Sequence, residues 1–199
     1  MGSSRQSTFN LTSSFEFDFA ARCAPNELRS RRHISPRFRF PTMFSGDHLG
    51  LTLFRGWNPI LSAACASIER LLIREPLAFH WVQLHEELGV GYFLYSLGEH
   101  CRYAVETVAR SRRVMIVVTQ EEARGLARAI DGIVNEAERL SSEACLVCGA
   151  RTIRRKYFGR ELPLCFRHQP ELLDLHDEEG LEGVWRHSIE WEASGGSKS

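Results

Sequence analysis

Cys145-Leu146-Val147-Cys148-Gly149 opens the stretch that decides how this chain is read, and Cys165-Phe166-Arg167-His168 closes it. Sixteen residues, 149–164, separate the two pairs. Each pair has two residues between its members. A Cys-x2-Cys-Gly turn brings two thiolates to one side of a tight knuckle, and an intervening loop lets a second pair complete a tetrahedron. The ligand set Cys145, Cys148, Cys165 and His168 therefore predicts one zinc ion. The bland alternative is four ordinary buried residues, three of them free thiols. Two paired spacings with a plausible hairpin between them argue against it.

The spacer supports the metal reading. Residues 152–158 hold β-branched and aromatic side chains, Gly159 supplies a turn, and residues 160–164 return, which predicts a β-hairpin. Downstream, Pro170-Glu171-Leu172-Leu173 reads as a helix start, with proline early and an acid in the first turn. Knuckle, hairpin and a second pair at a helix entrance resemble a treble-clef zinc finger. A catalytic zinc keeps three protein ligands and an open position for water, whereas four ligands close the site, so a structural ion is expected. His176 is a spare imidazole expected to lie on the helix that follows.

The 199 residues suffice for one ordinary domain plus a small module. Hydrophobic residues make up 43%, charged residues 25%, and the formal net charge is zero. Neutrality hides local imbalance. Residues 151–168 carry six bases (Arg151, Arg154, Arg155, Lys156, Arg160 and Arg167) against the single acid Glu161. Residues 171–192 carry eight acids and one base, Arg186. A basic finger precedes an acidic segment. No run approaches the ~18 apolar residues of a membrane span, and no secretory signal pattern opens the chain. The metal site accounts for three of six cysteines, leaving Cys23, Cys65 and Cys101 unpaired by any visible pattern. That usage points to a reducing, cytoplasmic setting.

Taken in order, residues 1–46 are expected to be a poorly ordered basic extension, with seven arginines against three acids. Phe15, Phe17 and Phe19 alternate with acids as one short strand would; a start at Met43 and a basic arm are the competing readings. An α+β core is expected over residues 47–142. Asn58-Pro59 reads as a cap and first-turn proline. Ile60, Leu61, Ala64, Cys65, Ile68, Leu71 and Leu72 then form one helical stripe over 59–73, and Pro76 ends it. Residues 79–86 and 92–97 predict a hairpin, 99–110 a short helix, and 114–118 a strand. Thr119 with Glu122 makes a capping box for a long helix. Its stripe of Leu126, Ile130, Ile133, Val134, Ala137 and Leu140 stops near Ser141-Ser142. The finger module is placed at 143–178. Residues 179–199 form an acidic segment and flexible tail, in which Leu181, Val184, Trp185 and Ile189 predict a short helix docking back.

Three features, Gly56-Trp57 opening a helix, Gln83-Leu84-His85-Glu86-Glu87-Leu88-Gly89, and a helix ending in Ser before Cys-x2-Cys-Gly, resemble a widespread group of small, largely uncharacterised bacterial and phage proteins. The likeness covers roughly residues 50–168. In that group the turn commonly reads Lys-Glu-Lys-Phe-Gly-Gly-Leu-Arg-Phe, and the chain ends shortly after a Cys-x2-His pair. This chain keeps Glu86, Gly89 and Phe93, has His85 and Glu87 where lysines are usual, and carries an insertion around 98–118. The resemblance implies the zinc finger and the fold rather than an activity.

No phosphate-cradling glycine loop, dinucleotide fingerprint or nuclease His-Asn-His set is present. Cys101 beside His100 and Glu99 lacks the spatial arrangement of a nucleophile, because sequence neighbours point in different directions. A non-enzymatic binding protein is expected. In one reading Arg151, Arg154, Arg155, Lys156, Tyr157 and Arg160 contact nucleic acid, pairing phosphates and stacking on a base. In the other, a protein partner is sequestered, as by an immunity or anti-host factor, through the acidic C-terminal region or the 79–97 hairpin. The plainer alternative for the basic hairpin is a solvated ribbon whose charges balance the acidic segment.

Overall fold

A computed structural model describes residues 34–73, 79–98, 100–109, 112–119, 125–173 and 180–189; for 100–109, 112–119 and Leu172 only the backbone is described. The Phe15–Phe19 strand, Pro76, Glu122, His176 and Cys23 lie outside these residues.

Strong β-formers over Phe79–Glu87 (β2) and Val90–Leu97 (β3) build the centre of a five-stranded sheet ordered β1-β2-β3-β4-β5. Gly50–Leu51 (β1) runs parallel to β2, and the other neighbours are antiparallel. The turn between β2 and β3 is two residues long, and both Leu88 (φ 51°) and Gly89 (φ 78°) are left-handed, as a type I′ hairpin requires. A bulge between Trp81 and Gln83 breaks the register. The Val82 carbonyl there accepts from the Leu49 amide at 2.7 Å, which brings β1 alongside.

The structure corrects the expected helix over 99–110: His100–Ala109 is a strand (β4), paired along its length with Arg112–Thr119 (β5). Cys101, Tyr103, Val105 and Thr107 alternate along it, and this period of two outweighs the helix-compatible Glu and Ala residues. Together β4 and β5 form the segment that reads as an insertion.

Two helices cover one face of β2–β3. Asn58–Leu72 (α2, after the four-residue α1 at Pro36–Arg39) buries Ile60, Leu61, Ala64, Cys65 and Ile68, the expected stripe. Its start differs from expectation. Asn58 is the first residue inside the helix and Trp57 takes the N-cap position, because a 3-10 turn, Arg55–Trp57, runs directly into it. Gly125–Ser141 (α3) buries Ala127, Ile130, Ile133, Val134 and Ala137 and ends where the two serines predicted. Between helices and sheet, Phe54, Trp57, Phe93 and Trp81 make successive ring contacts, with centroids 4.8, 5.9 and 6.3 Å apart. Trp81 Nε1 donates to the Cys65 sulfur at 3.4 Å, and burial pushes the Cys65 thiol up to about 12. Cys65 is a core residue.

The core also reaches beyond the boundaries expected for it. Phe40 and Met43 are buried in it, so part of the segment read as an extension belongs to the core. The four-residue helix and the 3-10 turn Pro41–Phe44 that Phe40 joins are too short to show a periodicity. At the other end, Gly180–Ser188 (α4) docks as expected, burying Val184 and setting Trp185 edge-on to Phe54 at 5.6 Å. Among the described residues no helix is long and apolar enough to cross a membrane.

Candidate metal centre and basic face

The knuckle forms from local hydrogen bonds. The Gly149 amide donates to the Cys145 carbonyl at 2.8 Å, and the Cys145 amide to the Ala150 carbonyl at 2.9 Å. Gly149 takes φ 71°, where a side chain would be strained. Arg155–Tyr157 (β6) and Arg160–Leu162 (β7) then form the predicted hairpin. A 3-10 turn, Phe166–His168, presents the second pair. The expected helix after it is only another 3-10 turn, Pro170–Leu172.

These elements bring all four predicted ligands together. One donor atom from each of Cys145, Cys148, Cys165 and His168 lies within 4.8 Å of the others, an arrangement that could hold a metal ion. Cys148 and Cys165 sulfurs are 3.7 Å apart, and His168 Nδ1 is 3.2 Å from Cys165 Sγ and 3.7 Å from Cys145 Sγ. None of the three cysteines is in a disulfide. The Cys148 thiol, as hydrogen-bond donor, pulls the Cys145 pKa down, and the same pairing pushes Cys148 up. Burial raises Cys165. So close a set of sulfurs favours one thiolate and opposes the next, and a divalent cation is the natural counter-charge.

The centre is built into the core. Leu146, Leu162 and Leu164 are buried with the core aromatics. The Gly56 amide donates to the Leu146 carbonyl at 2.8 Å, and a Cβ on Gly56 would collide with the Cys145 carbonyl oxygen. A Cβ on Gly149 would in turn lie 2.6 Å from the Gly56 oxygen. Only two glycines permit so close an approach. At the hairpin turn, Glu86 accepts from the Gly89 amide at 2.6 Å and from Arg160 at 3.3 Å. Burial nonetheless raises the Glu86 pKa, and its side chain is 3% exposed. Ser141 accepts from the Gly91 amide at 2.8 Å, and Glu138 from Phe93 at 2.8 Å, closing the β3 edge that β4 leaves unpaired. Gly56, Glu86, Gly89 and Ser141, singled out in sequence for other reasons, thus meet at one seam between core and finger.

The seam divides the basic residues proposed as a binding set. Arg160 is held by Glu86 and lies 5.9 Å from the Trp185 ring. Arg154 donates to the Leu88 carbonyl at 3.2 Å and sits 3.7 Å from Glu161. Arg151 lies 3.4 Å from Glu143. Tyr157 packs against the core with its hydroxyl buried, so its ring is not a free stacking surface. Arg155 and Lys156 are exposed and form no ion pair among the described residues, although Lys156 stands opposite Glu161 in the hairpin register. Phe166, 69% exposed with Arg167 5.5 Å over its ring, joins them on the outer face. Sequence reasoning passed over Phe166; its place inside the Cys-x2-His pair was the available signal. No family model, curated protein or solved structure matches this chain.

Proposed function

We propose that the cluster is a structural zinc centre and that the protein is a non-enzymatic, nucleic-acid-binding or regulatory adaptor. Zinc is supported by the donor set and by size. A Zn–S distance of ~2.3 Å implies tetrahedral sulfur edges of ~3.8 Å, close to the 3.7 Å between Cys148 and Cys165. Four ligands close the coordination sphere, which favours a structural role over water activation. The membership suggested by Gly56-Trp57, Glu86, Gly89 and the serine-ended helix is part of the same proposal.

The observation that carries the binding role is the division of the basic residues. Arg154 and Arg160 serve the seam, while Arg155 and Lys156 face solvent and form no ion pair among the described residues. A Cys3His zinc centre bears a net charge of about −1, so the outer cations offset it and leave a positive surplus for phosphate. Sequestration of a protein is the second reading, favoured by Leu88, 58% exposed at the tip of the β2–β3 turn.

Salt titration of binding decides between them. Zinc-loaded protein should bind oligonucleotide with an affinity that falls steeply with added salt. The double substitution Arg155→Ala, Lys156→Ala should lower the slope of log affinity against log salt by about 1–2. Absence of binding at low salt, or binding indifferent to both salt and substitution, overturns the nucleic-acid reading.

A further inference from the structure

We infer that the outer face of the finger takes single-stranded nucleic acid, with Phe166 as the platform on which an unpaired base stacks. The inference rests on the nucleic-acid reading above and specifies its ligand. Phe166 stands between Cys165 and His168, so metal coordination on either side would hold its backbone. Arg167 lies over the ring, and at 69% exposure much of the ring surface is open to solvent. Beside it is an open depression of about 360 Å³ lined by Arg151, Thr152, Ile153, Arg155, Cys165 and Phe166. Its wall pairs two cations with two large apolar side chains and contains no acid. Ile153, 67% exposed, adds apolar surface beside Phe166.

This combination suits a strand whose bases are free. A base inside a duplex already has both faces stacked, and an exposed ring gains nothing from it. An unpaired base offers a π-face to Phe166 while its phosphates reach Arg155. A duplex would have to be held by phosphate contacts alone. The three-residue strands of the hairpin provide few of these, because Arg154 and Arg160 are engaged by the Leu88 carbonyl and by Glu86.

The test compares an oligothymidylate and an oligouridylate, each about twelve nucleotides long, with a duplex of similar length, using the zinc-loaded full chain and fluorescence anisotropy. The single strands should bind at least tenfold tighter than the duplex. Phe166→Ala should weaken single-strand binding about tenfold or more and leave duplex binding unchanged; Phe166→Tyr should retain it. Phe166 flanks two ligands, so zinc content is measured for every variant. Phe166→Leu, apolar but without a π-face, repeats the test if the alanine variant releases metal. Salt-sensitive binding that prefers duplex, or that survives Phe166→Leu, overturns the stacking inference and leaves the phosphate reading standing. Binding to neither form overturns both. A complex with protein alone would assign the patch to a protein partner and count against both.

Discussion

On the side of the finger that meets the core, Arg160 reaches the nearly buried Glu86 and Arg154 reaches the Leu88 carbonyl. On the side turned to solvent, Arg155 and Lys156 have no such partners among the described residues, and Phe166 is displayed under Arg167. Residues adjacent in sequence thus have different duties. The core covers part of this ribbon, and only the cations that reach Glu86 and the Leu88 carbonyl find partners there. Basic charge near a metal site is therefore weak evidence for a binding surface until its internal partners are known.

Three sets of substitutions test that contrast, and the largest effect should come from the candidate metal ligands. Cys145→Ser or Cys165→Ser should abolish stoichiometric metal binding. Each should cost on the order of 5 kcal/mol, since metal binding free energy is folding free energy in such a module. Metal analysis with hydrogen exchange across 145–168 reads this out. A metal-free variant with native protection there would show that the leucines alone hold the finger.

Next comes the seam. Gly56→Ala drives a methyl group into the Cys145 carbonyl, and backbone atoms cannot rotate aside. A loss of about 3 kcal/mol is expected, seen as a lowered Tm. Gly50→Ala, where an added Cβ meets nothing within 4 Å, is the control. Equal Tm values for the two would mean that finger and core are only loosely joined.

The smallest effect belongs to the ion pair. Arg160→Ala leaves the Glu86 carboxylate with only the Gly89 amide, and a cost of about 1–2 kcal/mol is expected, since Arg160 is itself partly solvated. The loss should depend on pH. Burial already holds the Glu86 pKa above its unfolded value, and removing the cation raises it further. Stability contributed by the protonated carboxyl is complete below the unfolded pKa and declines as pH rises through the folded one. The variant should therefore lag the wild type more at neutral pH than at mildly acidic pH. Glu86→Gln added to Arg160→Ala should recover most of the loss. A pH-independent deficit would point to the Trp185 contact instead.

The local grammar of the chain was legible without coordinates. Cys-x2-Cys-Gly and Cys-x2-His declared a cluster because those spacings have few other uses, and the stripe from Ile130 to Ala137 declared a helix because its period matches 3.6 residues. The β2–β3 and β6–β7 hairpins showed in the same way, through β-formers on either side of a Gly turn. Strand β4 did not show, since a partner strand supplies half of its hydrogen bonds and residues such as Glu106 and Ala104 suit a helix equally well. Nor did the burial of Phe40 and Met43, which depends on contacts far away in sequence.

Residue types and spacing by themselves determined that four candidate ligands lie on a knuckle and a turn, that helices and hairpins precede them, and that the finger is basic. Tertiary structure decided which basic residues are free, which aromatic ring faces solvent and how closely finger and core are joined. Each of those turns on which side of an element is covered. Covering is a relation between distant segments, set here by Gly56 against Cys145 and by Glu86 against Arg160, and no local pattern records it.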